Sequence, residues 1–324
     1  MTDDPASPGT LDRKEAGRPQ RVRGGQPKRG LQAQRAPDYV LVGHICADIL
    51  PDGTAVLGGT ALYSALTVAA LGWRVGVLTR GRYGVTIDGV AIPDLGVFSD
   101  RVQVIVQDAE WPTFFVNEYV GGRRNQQITR WAGPIDLRGL PPHWHSPRVL
   151  HLGPIAQEID VRQAAGLQPR FLGVTPQGWM RDWPRATGGR VQMHHLRLPK
   201  EFLSTIDGIV VNDEELVHSR DSIEMIGRTG YGVVTLGISG AQLYSPGGMI
   251  EVPAFDVPVF DPTGAGDVFT AAFFYRIADP SVTAEAALNF ANAAAGLSLA
   301  GVGASVVPSR AAIKRLIDQV ASQR

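Results

Sequence analysis

A single cysteine, Cys46, is all this chain offers for thiol chemistry. No internal disulfide can form and no Cys/His zinc spacing exists, so a reducing compartment is expected and Cys46 reads as a small core residue. Net charge is missing too: 31 Lys and Arg meet 31 Asp and Glu. That balance removes the electrostatic case for a nucleic-acid or anionic-membrane partner. No stretch approaches the roughly 20 apolar residues that span a bilayer, and the first residues hold no apolar core of a signal peptide. A cytoplasmic protein is expected. Absent as well are a Gly-x-x-x-x-Gly-Lys-Ser/Thr string and a Gly-x-Gly-x-x-Gly leading from strand to helix. P-loop and dinucleotide-dependent oxidoreductase readings thereby lose their main support. His143, His145, His151 and the His194-His195 pair have no carboxylate spacing that would make them metal ligands.

What is present begins with 324 residues of which 44% are hydrophobic, ample for a buried core. Residues 1–37 stand apart: rich in Arg, Pro, Gly and Gln and poor in large apolar side chains, they predict a disordered, solvated basic tail ahead of a domain over 38–324. Within that domain, Tyr39 to Gly43 reads as a buried strand, Gly59 to Leu71 as a helix stopped by Gly72, and Val75 to Leu78 as the next strand. This order implies a right-handed βαβ unit in a parallel sheet. The 103–119 segment predicts two strands joined around Trp111-Pro112. Three short apolar runs, at Val149, Phe171 and Gly208, predict further parallel strands with functional loops at their C-terminal ends. Runs at Gly232, Ala241 and Met249 predict a strand and a hairpin turning at Pro246-Gly247-Gly248. Thr283 and Ser309 are fitting N-caps for the last helices. One doubly wound α/β domain accommodates all of this.

The most informative string is Asp261-Pro262-Thr263-Gly264-Ala265-Gly266-Asp267-Val268-Phe269. Two glycines flank an alanine just before a helical run to Ile277, so the Gly264, Ala265 and Gly266 amides are expected at a helix N-terminus, where anions bind. Asp267, ionised at neutral pH, is an acceptor for the proton of an attacking hydroxyl. A Gly-x-Gly-Asp turn also serves as a plain helix cap. The longer string resembles the C-terminal signature of the pfkB-type carbohydrate kinases, the ribokinase-like family, which runs Asp-Thr-x-Gly-Ala-Gly-Asp-x-Phe. The resemblance covers roughly 38–320. It implies a mostly parallel central sheet flanked by helices, and ATP- and Mg²⁺-dependent phosphoryl transfer to a small sugar, polyol or nucleoside by a monomer or homodimer.

Other segments follow the same family in order. Asn212-Asp213-Glu214-Glu215 is similar to its Asn-x-x-Glu, which implies that Asn212 and Glu215 organise Mg²⁺ through water. The same residues read equally as a helix cap with an acidic first turn. Thr235-Leu236-Gly237-Ile238-Ser239-Gly240 resembles a nucleotide-approach turn, implying donor contacts from Thr235, Gly237 and Gly240 and, by position, from Thr263, Asn292 and the Gly301–Ala304 stretch. Gly43 to Asp48 resembles Gly-x-x-x-x-Asp, implying that Asp48 binds acceptor hydroxyls. Gly58-Gly59 matches the family's pair, but Tyr63 stands where an asparagine is usual. Arg123 and Arg124 fall where relatives place an arginine near acceptor or phosphate, so Arg124 is assigned to substrate. Thr175 to Arg181 replaces an Asp-x-Asn-x-Arg pattern and loosely resembles the inositol-kinase-like branch. The short Ile49–Leu57 loop predicts a reduced or absent β lid, with the 103–119 strands supplying cover. These departures keep open a second reading, a catalytically silent relative that binds a ligand.

Overall fold

Tyr39, Val40, Leu41 and Val42 are all inaccessible to solvent. Tyr39 and Leu41 belong to one apolar cluster and Val40 and Val42 to another. Side chains alternate across a strand, so a continuous apolar run buried on both faces requires a sheet covered on both sides. The computed structural model describes residues 35–120, 123–301 and 307–322, with the backbone alone for Tyr119, Val120, Arg123 and Arg124. The expected tail up to residue 34 and the stretch from Val302 to Ala304 lie outside the described residues.

The described strands are β1 (Tyr39–Val42), β2 (Cys46–Ile49), β3 (Ala55–Gly58), β4 (Val75–Gly81), β5 (Val85–Ile87), β6 (Val90–Ile92), β7 (Val102–Asp108), β8 (Phe114–Val120), β9 (Arg123–Arg130), β10 (Val149–Leu152), β11 (Phe171–Val174), β12 (Arg181–Asp182), β13 (Gly189–Arg190), β14 (Gln192–Met193), β15 (Gly208–Asn212), β16 (Tyr231–Thr235), β17 (Ala241–Ser245) and β18 (Gly248–Val252). The α-helices are α1 (Thr60–Ala70), α2 (Lys200–Leu203), α3 (Asp213–Gly227), α4 (Ala265–Ile277), α5 (Ala284–Ser298) and α6 (Arg310–Ala321).

Nine strands form the main sheet in the order β18-β17-β16-β15-β11-β10-β1-β4-β7. Its pairings are parallel from β7 to β16, and only the β16–β17–β18 meander is antiparallel. Helices α1, α4 and α5 pack their apolar sides on one face, while α3 and the Leu203 end of α2 cover the other. The fold is therefore a doubly wound, mostly parallel sheet flanked by helices. The expected caps at Thr283 and Ser309 are made, each side chain accepting from the amide three residues on. The loops after β1, β10, β11, β15 and β16 leave the C-terminal ends of parallel strands, where doubly wound folds place their ligands.

The two strands expected over 103–119 form on either side of Trp111-Pro112: β7 closes the main sheet beside β4, and β8 joins a second sheet. That second sheet has five strands, in the order β13-β9-β8-β2-β3. The lid is thus not absent. The β2–β3 hairpin is short, as the loop length indicated, but β8, β9 and β13 extend it through pairings distant in sequence.

Candidate active site

A cavity of about 340 Å³ lies between the second sheet and the C-terminal ends of the main-sheet strands. Three of its walls come from separate parts of the chain: Asp48, Phe115, Asn117 and Gln126 from the second sheet; Thr175, Gln177 and Arg181 from the segment after β11; Asn212 and Thr235 from the ends of β15 and β16, with Glu215 from the first turn of α3. Gly264, Gly266 and Asp267 close it from the start of α4, with Thr60 and Tyr63 of α1 beside them.

Gly264 is the N-cap of α4 at φ 80°, ψ −2°, a left-handed conformation that glycine adopts without strain. The Tyr63 ring occupies the space that a Cβ at this position would take, so both backbone and packing demand glycine. Thr263 N–H donates to Asp261 Oδ1 at 2.9 Å, shaping the preceding turn. Of the three amides expected to face an anion, that of Ala265 donates to the Pro262 carbonyl at 3.2 Å, and Ala265 does not line the cavity. Asp267 sits in the first turn, half-buried, and accepts a hydrogen bond on Oδ1 from Thr60 Oγ1 at 2.7 Å. Thr60 Oγ1 in turn accepts from Gln177 Nε2 at 2.8 Å. Ser64 Oγ donates to the Asp267 carbonyl at 3.2 Å, tying α1 to α4.

On the second sheet, Asn117 Nδ2 donates to Asp48 Oδ1 at 3.3 Å and Gln126 Nε2 donates to Asn117 Oδ1 at 2.9 Å. The opposed register of Asn117 and Gln126 in the β8–β9 pair makes the second contact possible. Gly58 stands across from Cys46, and the Asp48 carboxylate fills the place of its missing Cβ. Glu158, fully buried, ties together the loops after β1 and β10 by accepting amides from His44 at 2.9 Å and Ala156 at 2.7 Å.

Asn212 and Glu215 form a capping box on α3. Glu215 N–H donates to Asn212 Oδ1 at 2.7 Å and Asn212 N–H to Glu215 Oε2 at 3.2 Å. The capping role is therefore real, and it coexists with a place on the cavity wall. Burial raises the Glu215 carboxyl above its usual range, with Arg181 acting in the opposite sense. Burial likewise raises the Tyr63 hydroxyl, with Asp267 and then Asp48 adding to it, and pushes the Cys46 thiol up. Cys46 is a buried, un-ionised wall residue, as its sequence context indicated.

Of the other expected donor contacts, Thr235 and Thr263 reach the cavity. Gly240 has φ 99° and lies against the Val252 carbonyl, and Gly237 has φ 56°; both shape their turn and neither lines the cavity. Asn292 is buried and gives its amide protons to the Val252 and Pro253 carbonyls, each at 3.2 Å, so it holds a loop and not a cavity wall. Gly59 lines the cavity. The side chains of Arg123 and Arg124 lie outside the described residues. Arg181 places a guanidinium on the cavity wall; its Nη1 donates to the Ile155 carbonyl at 2.9 Å and its head lies 5.7 Å from the Phe115 ring centre. Thr60, Gln177, Arg181, Asn117 and Gln126 were not assigned from sequence. Thr60 directly follows the glycine pair and Gln177 lies in the departing loop, whereas Asn117 and Gln126 carry no local signal. Among the described residues no cluster of three or more His, Cys, Asp or Glu is set to hold a metal, and His151 is a core residue bridged by Tyr39 and Thr175.

Residues 199–310 match the model of the pfkB family carbohydrate kinases, a segment that contains Asn212, Glu215 and Asp267. The chain is 28% identical over 243 residues to an ATP-dependent ribose-1-phosphate kinase of Halopiger xanaduensis, covering 73% of each chain. It is 24% identical over 255 residues to a cytidine kinase of Thermococcus kodakarensis, covering 73% of this chain and 87% of that one. Among solved structures, a pyrophosphate-dependent kinase of the ribokinase family, complexed with a pyrophosphate analog and myo-inositol, superposes with a TM-score of 0.66 at 22% identity, over 86% of this chain and 99% of that one. Arabidopsis thaliana ribokinase, complexed with ribose and ATP, superposes with a TM-score of 0.60 at 21% identity, over 87% and 99%. The matched segment spans the α4 turn and is similar to the pfkB family carbohydrate kinases, and the described body shares the fold of the ribokinase-family structures.

Proposed function

We propose that this chain transfers a phosphoryl group from ATP to a hydroxyl of a small sugar, polyol or nucleoside, with Asp267 as the base. One observation carries the reading: a carboxylate in the first turn of α4, behind a left-handed glycine, shares a cavity with Asp48. Asp48, steadied by Asn117, supplies acceptor oxygens for the hydroxyls of a polyhydroxy substrate. The acceptor oxygen forms the new P–O bond as the bond from phosphorus to the donor's leaving phosphate breaks. The acceptor proton passes to Asp267 and from there to solvent. The amides at Gly264 and Gly266, with the N-terminal end of α4 behind them, offset charge on the transferring group.

Asn212 and Glu215 fit a Mg²⁺ ion held through its water shell, since their capping box already uses Asn212 Oδ1 and Glu215 Oε2. When bound, the ion neutralises charge on the donor phosphates. Thr235 and Thr263 place hydroxyls on the same wall.

The test is donor-dependent phosphorylation of ribose, ribose 1-phosphate, myo-inositol, fructose and cytidine, with ATP and with pyrophosphate, run beside Asp267→Asn. Acceptor-dependent turnover reduced by about 10² to 10⁴ in the variant is the expected result. Pyrophosphate in place of ATP would change the donor assignment and keep the base. MgATP binding without turnover on any acceptor would leave a ligand-sensing protein.

A further inference from the structure

The loop after β11 that departs from the family pattern reaches Asp267 through one intermediate, Thr60. The direction of that contact chain follows from chemistry. An ionised carboxylate only accepts, so the hydroxyl proton of Thr60 must be the one pointing at Asp267 Oδ1 across 2.7 Å. Having spent its single proton there, Thr60 Oγ1 can meet Gln177 only as an acceptor, and the Gln177 amide must present Nε2, at 2.8 Å. Thr60 is fully buried, held in the first turn of α1 directly behind the left-handed Gly59, so its hydroxyl has little room to turn elsewhere. Gln177 is fixed on a short 3-10 turn, Pro176–Met180, whose Gly178 amide donates to the Pro154 carbonyl at 2.9 Å.

We propose that Thr60 and Gln177 are positioning residues for Asp267, a relay in which Gln177 orients the Thr60 hydroxyl and Thr60 holds one oxygen of the base so that the carboxylate keeps a single orientation toward the acceptor. The proposal rests on Asp267 being the base. It assigns the Gln177 side chain, in a segment that departs from the usual family sequence, to the geometry of the reacting group. A hydroxyl donating to a carboxylate also favours its ionised form, so loss of the relay moves the acid limb of the rate profile as well as its height. Among the described residues, the other charged or titratable groups around Asp267 are Tyr63 of α1, Cys46 and Asp48 of β2, Glu215 of α3, and Arg181 and Asp261. All of them stay in place in the variants that follow.

The experiment compares Thr60→Val, Thr60→Ser, Gln177→Leu and Asp267→Asn in kcat, KM and the pH profile of kcat, using the fastest acceptor among ribose, ribose 1-phosphate, myo-inositol, fructose and cytidine. Melting curves confirm that each variant is folded. Thr60→Val should lower kcat about 10- to 100-fold with KM for the acceptor within about 3-fold, and shift the acid limb upward by about one pH unit. Thr60→Ser, which restores the donor, should recover most of both. Gln177→Leu should give a smaller change in the same direction, and Thr60→Val should cost nothing further on an Asp267→Asn background. The relay is overturned on its own if Asp267→Asn is inactive while Thr60→Val keeps the wild-type kcat and profile. A wild-type rate in Asp267→Asn removes the base assignment, and a wild-type chain inert with every acceptor removes the kinase reading and the relay with it.

Discussion

His151 shows how a residue of catalytic type is spent on structure. It lies fully buried on β10, with Nδ1 at 2.9 Å from the Tyr39 hydroxyl and Nε2 at 3.0 Å from Thr175 Oγ1. Burial lowers its pKa from 6.5 to about 3. Between those values the unfolded chain binds a proton that the folded chain refuses. Stability from this residue is therefore complete above about pH 6.5 and declines as the pH falls toward about 3, at about 1.4 kcal/mol per pH unit. His44, also lowered by burial, acts in the same sense; Glu215 and Asp207, raised by burial, act against it in acid. A His151→Gln protein isolates the effect. Urea unfolding from about pH 7 to about pH 4 should show the variant less stable at the neutral end but with a shallower decline, and parallel curves for the two proteins would refute the account. At this scale the sequence was readable where a residue type and its neighbours decide the local conformation, as with Gly264 at the start of α4 and the Asn212–Glu215 cap of α3. It was silent on Asn117 and Gln126, whose contact depends on the strand across from them.

At the scale of the element, the start of α3 carries two duties on one pair of side chains. The capping box satisfies backbone donors that the helix leaves unmade, and the same pair faces the cavity. Substitutions separate the two. Asn212→Ala should lower unfolding stability by about 1 kcal/mol, whereas Asn212→Asp keeps a side-chain acceptor and should stay within about 0.5 kcal/mol of wild type. If the donor end also uses Asn212, the aspartate variant should raise the KM for MgATP despite its intact stability. An unchanged KM would reduce Asn212 to a cap. The short strands of the main sheet were legible because a brief, unbroken apolar run between turn residues suits little besides a strand buried on both faces. The link between β7 and β8 was legible at Trp111-Pro112, but a turn does not say whether the next strand returns to the same sheet. Only the pairing of β8 with β2, far earlier in the chain, decides that.

Across the whole molecule, the cavity is assembled from two sheets, and a ligand seated there should tie them together. Saturating acceptor, at about 100 times its Kd, is expected to stabilise the protein by about 2.7 kcal/mol, with slowed amide exchange in β2 and β8 as well as in the 175–181 loop. Protection confined to the loop, with the second sheet exchanging as before, would place the acceptor elsewhere. The division of labour between the sheets also bears on how such a protein changes over generations. Asp48, Asn117 and Gln126 stand on the second sheet, whereas Asp267 and Gly264 stand at the start of α4, fastened to α1. On the proposed assignment, substitutions in β8 and β9 should retune which polyhydroxy compound is accepted while leaving Asp267 in place. Gly264, left-handed and under the Tyr63 ring, admits almost no other side chain. On that assignment one half of the site is open to drift toward new substrates, and the other half is closed to it.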